Sequence, residues 1–146
     1  MTHMRYYFNI GTNLGCRHQN VGRAIAALCA RGTRCRVSDE MESEPWGFQS
    51  SNRFLNVGVA VDLDLSPQEV LDWVHGIELR LGSAGHRDEN GGYIDRLVDI
   101  DIMAIDDNQG RVVTIDMPNL QVPHRHLYDR PFFIIPYRQL KEMTEK

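Results

Sequence analysis

Hydrophobic and polar positions along this chain recur with two periods, and the switches between them mark out its elements. Arg5 to Ile10 (RYYFNI) is rich in β-formers and ends at the turn-prone run Gly11-Thr12-Asn13-Leu14-Gly15, which predicts a first strand. Val21, Ile25, Leu28 and Cys29 then return every three or four residues, predicting an amphipathic helix over 19–31 that Gly32 closes. Thr33 to Met41 is expected as a second strand and Arg53 to Leu63 as a stronger third. In that third strand Leu55, Val57, Val59 and Val61 share one face, while Phe54, Asn56, Gly58 and Ala60 share the other. One face belongs to the core and the other is open to a ligand. Ser66-Pro67-Gln68-Glu69 combines an N-cap serine, proline at the first helical position and glutamate at the third, a capping box that starts a second helix. Val70, Val74, Ile77 and Leu81 form its apolar stripe, and Gly82 is placed to end it.

Residues 83–95 (SAGHRDENGGYID) form a polar, glycine-rich stretch too long for a simple connector. Leu97 to Ile105 is the next expected strand, Gln109-Gly110 a turn, and Arg111 to Ile115 a partner strand. From Pro118 the chain is expected to be loop-rich before an apolar run at Pro131 to Pro136. The order β-α-β-β-α-β is that of a ferredoxin-like α+β sandwich, with helices packed on one face of a mostly antiparallel sheet.

Composition narrows this further. A chain of 146 residues without repeats or a linker is expected to form a single domain over 1–146. No apolar run approaches the ~18 residues of a membrane span, and no leader pattern precedes the first strand, so a cytoplasmic protein is expected. The net charge of −4 gives no general attraction to nucleic acid or an anionic membrane, and no obligate protein partner is evident. Cys16, Cys29 and Cys35 lack ligand spacing, and Cys29 lies on an apolar helical face, so reduced thiols are expected. The basic residues are nearly all arginine; lysine occurs only at 141 and 146. Arginine forks match phosphate oxygens in pairs, although a surface preference for arginine explains the bias equally well.

The chemistry centres on Val98-Asp99-Ile100-Asp101-Ile102. A strand period of two sends both aspartates to one face, with side-chain origins about 6.5–7 Å apart. Two like charges side by side are unfavourable unless a cation or solvent relieves them, and Mg²⁺ suits one or two carboxylates plus phosphate oxygens. Taken alone, Asp-x-Asp is more often a solvent-facing strand edge. Its neighbours add weight: Arg96 precedes it, Glu78 ends a helix, and Val122-Pro123-His124 and Arg130 follow. There is no GxxxxGK[ST] and no GxGxxG after the first strand, which removes P-loop and dinucleotide-binding readings. His124-Arg125-His126 could start a metal pair, but spacing places no third ligand.

Three segments together resemble the 6-hydroxymethyl-7,8-dihydropterin pyrophosphokinase family across almost the whole chain. They are Ile10 to Gly15, Arg96 to Met103 (RLVDIDIM, beside the family's R-T-L-D-L-D-I-M), and Val122-Pro123-His124 with Arg130 and Phe132. The resemblance implies transfer of pyrophosphate from ATP to the hydroxymethyl group of the pterin, with release of AMP, in folate biosynthesis. It implies two Mg²⁺ ions on Asp99 and Asp101, with Arg96 and Arg130 also catalytic. ATP would meet Glu78, Arg87, Arg96, Ile102, His124 and Arg130. The pterin would meet Ser43, Trp46, Phe54, Asn56, Tyr93 and Phe132. Without the resemblance, Phe54, Trp46 and Phe132 would be read as core, and Asn13 as a residue stabilising its own turn. The chain departs from the family in the 83–95 stretch, where His86 and Arg87 stand in place of several arginines, and in Gly92-Tyr93-Ile94-Asp95-Arg96, where W-G-P-R is usual. The alternative these departures leave is a weakened or inactive relative that binds pterin or nucleotide.

Overall fold

The first strand and the long strand over Phe54–Leu63 are the interior strands of the main sheet, each paired along both edges. The computed structural model describes residues 3–44, 53–82 and 97–144. In chain order its elements are β1 (Met4–Thr12), α1 (Arg17–Arg31), β2 (Thr33–Val37), β3 (Met41–Ser43), β4 (Phe54–Leu63), α2 (Pro67–Arg80), β5 (Asp99–Asp106), β6 (Ile115–Met117), β7 (Leu120–Val122) and α3 (Pro131–Thr144). The main sheet runs β2-β4-β1-β5, with β3 also paired to β4, and all of these pairs are antiparallel. This is the ferredoxin-like α+β arrangement expected from the element order.

The strand alternation sorts the core onto two faces. Tyr6, Phe8 and Ile10 of β1 and Leu55, Val57, Val59 and Val61 of β4 pack with Leu28 of α1 and Val70, Val74 and Ile77 of α2. Burying each such aliphatic side chain contributes about 1.5–3 kcal/mol. Tyr7, Ala60, Met103 and Ala104 face the other way, against Leu127, Phe133 and Leu140. The expected capping box is present: Ser66 Oγ accepts the Glu69 N–H at 3.3 Å and Glu69 Oε1 accepts the Ser66 N–H at 3.0 Å. Gly82 follows α2 at φ +95°, a conformation that favours glycine.

Four expectations are corrected. The segment expected as one strand over 33–41 is two, because Ser38 breaks it: its Oγ accepts the Gly58 N–H at 2.7 Å while its own N–H donates to the Gly58 carbonyl at 2.9 Å. The expected partner strand at 111–115 reduces to one bridge between Asp106 and Val112. Asp107 Oδ1 gathers the N–H groups of Gln109 and Arg111, closing a tight turn, and the chain then leaves to form the β6–β7 hairpin. Cys29 and Cys35 are not reduced thiols but form a disulfide, since the turn at Gly32 folds β2 back beside α1 and sets their Cα atoms 5.5 Å apart; Cys16 is free.

The apolar run from Pro131 opens a third helix, α3, with Pro136 inside it, and α3 covers the second sheet face, so helices lie on both faces. Pro131 suits a first helical position, but an internal proline removes a donor and hides the helix from a periodicity argument. Gly58 lets α3 dock closely: a Cβ there would lie 2.9 Å from both Leu140 Cδ1 and Pro136 Cβ. Among the described residues no helix is long and apolar enough to cross a membrane.

Candidate functional site

Asp99 and Asp101 stand where the sequence placed them, on the α3 face of edge strand β5. Asp101 lies opposite Asn9 and Asp99 opposite Gly11 on β1, and directly opposed residues of an antiparallel pair share a face. A bulge follows at once: Tyr7 pairs with Ala104 and Phe8 with Ile102, leaving Met103 as the extra residue. The Met103 carbonyl accepts the His124 N–H at 2.9 Å, which fastens the segment after the cis Val122–Pro123 bond to β5. The edge of β5 is covered from the other side by Glu78. That carboxylate, only 3% exposed, accepts the Ile100 N–H at 2.8 Å and so ties α2 to the strand carrying both aspartates.

Two cavities meet at this pair. The first is a narrow slot on the sheet face, lined by Asn9, Gly11, Phe54, Asn56, Asp99 and Asp101, with Ser43 and Phe132 at its sides. Its floor is rigid, since Asn9 and Asn56 are each 2% exposed within paired strands. Asn56 Nδ2 donates to Ser43 Oγ at 2.7 Å, which fixes the amide plane. Gly11 has no side chain to fill the floor; a Cβ there would sit 3.4 Å from Asn56 Oδ1 and 3.4 Å from the Phe54 ring. The slot holds only about 20 Å³ of free space in this structure, but its aromatic sides, fixed amide and bare floor are the features that hold a planar heterocycle, by stacking and by hydrogen bonds to its edge.

The second cavity, about 390 Å³, opens at the sheet edge and is lined by Glu78, Asp99, Asp101, Ile102, His124 and Arg125, together with residues of α2 and the β6–β7 hairpin. His124 Nδ1 accepts the His126 N–H at 3.1 Å, so a neutral ring carries its proton on Nε2 and acts there as a donor. The ring meets Phe133 edge-to-face at 4.9 Å. A polar cavity with carboxylates, imidazole and guanidinium suits a phosphorylated ligand that arrives with a cation.

The structure brings together most of the residues expected to work together. Ser43, Phe54, Asn56 and Phe132 line the slot; Glu78, Ile102 and His124 line the larger cavity; Asp99 and Asp101 line both. Arg130 is placed differently: it is 4% exposed, with its guanidinium 5.7 Å from the Phe132 ring centroid and 5.1 Å from that of Phe133, and it is not among the described residues lining either cavity. Trp46, Arg87, Tyr93 and Arg96 lie outside the described residues. Asn9 and Arg125 were not singled out as site residues by the sequence. Asn9 occupies the ligand-facing register of β1, a signal available from strand alternation. Arg125 follows His124 directly but was weighed only as part of a metal pair.

A slot whose sides suit a flat molecule and a polar cavity that suits a phosphorylated one share a wall of two carboxylates on a ferredoxin-like sheet, an arrangement that fits two-substrate group transfer. Residues 7–142 match the sequence model of the 7,8-dihydro-6-hydroxymethylpterin-pyrophosphokinase (HPPK) family. The chain is similar to the 2-amino-4-hydroxy-6-hydroxymethyldihydropteridine pyrophosphokinase of Porphyromonas gingivalis, 37% identical over 132 residues, covering 89% of this chain and 86% of that protein. The protein of that name from Bacillus subtilis is 31% identical over 142 residues, covering 96% and 80%. That from Aquifex aeolicus is 31% identical over 135 residues, covering 92% and 79%. The chain belongs to the HPPK family, a family of folate-pathway pyrophosphokinases.

Proposed function

We propose that the chain transfers pyrophosphate from ATP to the hydroxymethyl oxygen of 6-hydroxymethyl-7,8-dihydropterin, with the pterin in the slot, ATP in the edge cavity and Mg²⁺ held by Asp99 and Asp101. The observation that carries this reading is the shared wall: the two aspartates line both cavities. The hydroxymethyl oxygen attacks the β-phosphorus, its bond to the α–β bridging oxygen breaks, and AMP leaves with that oxygen. The hydroxyl proton goes to solvent or to the phosphate of the departing AMP.

The donor set supports Mg²⁺. Two strand carboxylates facing a polar cavity match a cation that completes its shell with substrate phosphates and water. When bound, Mg²⁺ would supply charge neutralisation to the triphosphate. The protein's own part is positioning. The strand floor and Phe132 orient the acceptor toward the aspartate wall, Asn56 presents its Oδ1 to the ring edge, and His124 donates from Nε2 toward the phosphates. Fixing two reactants in line lowers the barrier without covalent involvement of the enzyme.

The test is to incubate the protein with MgATP and hydroxymethyldihydropterin and separate the nucleotides. Equimolar AMP and pterin diphosphate are expected. ADP as the product would reject pyrophosphoryl transfer, and no conversion would favour a binding module that has lost turnover.

A further inference from the structure

Asn9 lies mid-strand in β1, 2% exposed, with Gly58 beside it on β4 and Asp101 beside it on β5. Its Nδ2 donates to the Phe132 carbonyl at 2.7 Å. That acceptor is significant because of what the helix lacks. In an α-helix the carbonyl of residue 132 takes the N–H of residue 136. Here residue 136 is proline, which has no N–H to give. The proline therefore cannot give that carbonyl its usual helical donor, and a buried side chain of an interior strand donates to it instead. Phe132, whose carbonyl is held this way, lines the slot, as does Asn9 itself.

We propose that Asn9 is a positioning residue of the substrate slot: its amide replaces the backbone donor missing at Pro136, and so fixes the first turn of α3 with Phe132 at the side of the slot. The inference rests on the reading that the slot takes the pterin. Asn9 acts through Phe132, and the juxtaposition with Pro136 makes the role testable apart from simple core filling. Volume alone would make the effect of removing Asn9 independent of residue 136. A donor role makes the two interdependent, because alanine at 136 restores the backbone N–H while keeping the Cβ that packs at Gly58.

The experiment is a double-mutant cycle read by calorimetric binding of 6-hydroxymethylpterin in the presence of Mg²⁺ and α,β-methylene-ATP, which does not turn over. Asn9→Ala is expected to weaken pterin binding about tenfold, the size of one lost hydrogen bond, while binding of the nucleotide analogue changes less than twofold. Asn9→Asp, similar in shape but an acceptor facing a carbonyl, is expected to weaken it at least as much. In the Pro136→Ala background, Asn9→Ala is expected to cost less than threefold. Equal losses in both backgrounds, or no loss from Asn9→Ala, would overturn the positioning role while leaving the slot assignment standing. A wild-type protein that binds no pterin under these conditions would overturn the slot assignment, and this inference with it.

Discussion

The slot and the edge cavity share two aspartates yet are built in opposite ways. The slot is cut into the sheet: its floor residues sit in paired strands, Asn9 and Asn56 are nearly inaccessible, and the amide of Asn56 is held by Ser43. The edge cavity is assembled from side chains that reach around β5 from α2, from the hairpin and from the segment after Pro123, and Arg125 and His75 within it are exposed. A neutral planar ring is recognised by shape and a few fixed hydrogen bonds, which demand rigidity. A triphosphate carries its own charge and brings its own cation, so an open polar surface is sufficient. The aspartates line both cavities, and on the proposed reading the two substrates meet there.

Substitutions can break this contrast at graded cost. Asp101→Asn removes a carboxylate from the common wall and is expected to lower turnover about 10³-fold. Its melting temperature should hold or rise, since two neighbouring like charges become one; a drop of many degrees would mean that the pair is structural. Asn56→Ala should raise KM for the pterin between about ten- and a hundredfold, the cost of one or two hydrogen bonds, with KM for ATP unchanged. Arg125→Ala should do the reverse, raising KM for ATP about tenfold and leaving the pterin untouched. If both variants moved both constants equally, the two cavities would not be separate sites.

The smallest effect is expected at the far end of α3, where Lys141 and the Tyr7 hydroxyl both donate to Asp106 Oδ2, at 3.0 and 2.8 Å. Burial pushes the Lys141 ammonium down, but the hydrogen bond and charge of Asp106 outweigh it and hold the group above its ordinary value of 10.5. A raised lysine stabilises the fold fully below its unfolded value and loses that contribution as pH climbs through the folded one. Lys141→Met should therefore cost about 1 kcal/mol evenly from pH 7 to 10. The gap to wild type should close only above that range, as followed by denaturant melts across pH. A gap that closes near neutrality would show that the pair does not act as a charged contact.

How much of this the sequence revealed differs between the sheet and its cover. Strand alternation in residues 53–63 foretold both faces of β4, and the capping box at Ser66 foretold the start of α2, because each is a local rule that the tertiary structure had no reason to override. The aspartate wall was legible for the same reason, since a period of two is enough to pair Asp99 with Asp101. Helix α3 was not, because Pro136 contradicts helix periodicity and its missing hydrogen bond is replaced by a residue more than a hundred positions away. The Cys29–Cys35 bond was missed because spacing says nothing of how tightly α1 turns into β2. The guanidinium of Arg130 lies over the rings of Phe132 and Phe133, which begin α3, a contact that depends on the helix the pattern concealed.

Whether the two substrates meet at one carboxylate pair is tested most directly by paramagnetic relaxation. With Mn²⁺ in place of Mg²⁺, α,β-methylene-ATP and hydroxymethyldihydropterin bound together, the nucleotide phosphorus signals and the pterin methylene protons should both broaden, and Asp101→Asn should abolish both effects. Broadening of the nucleotide alone, or of both signals unchanged in Asp101→Asn, would place the metal or the pterin elsewhere.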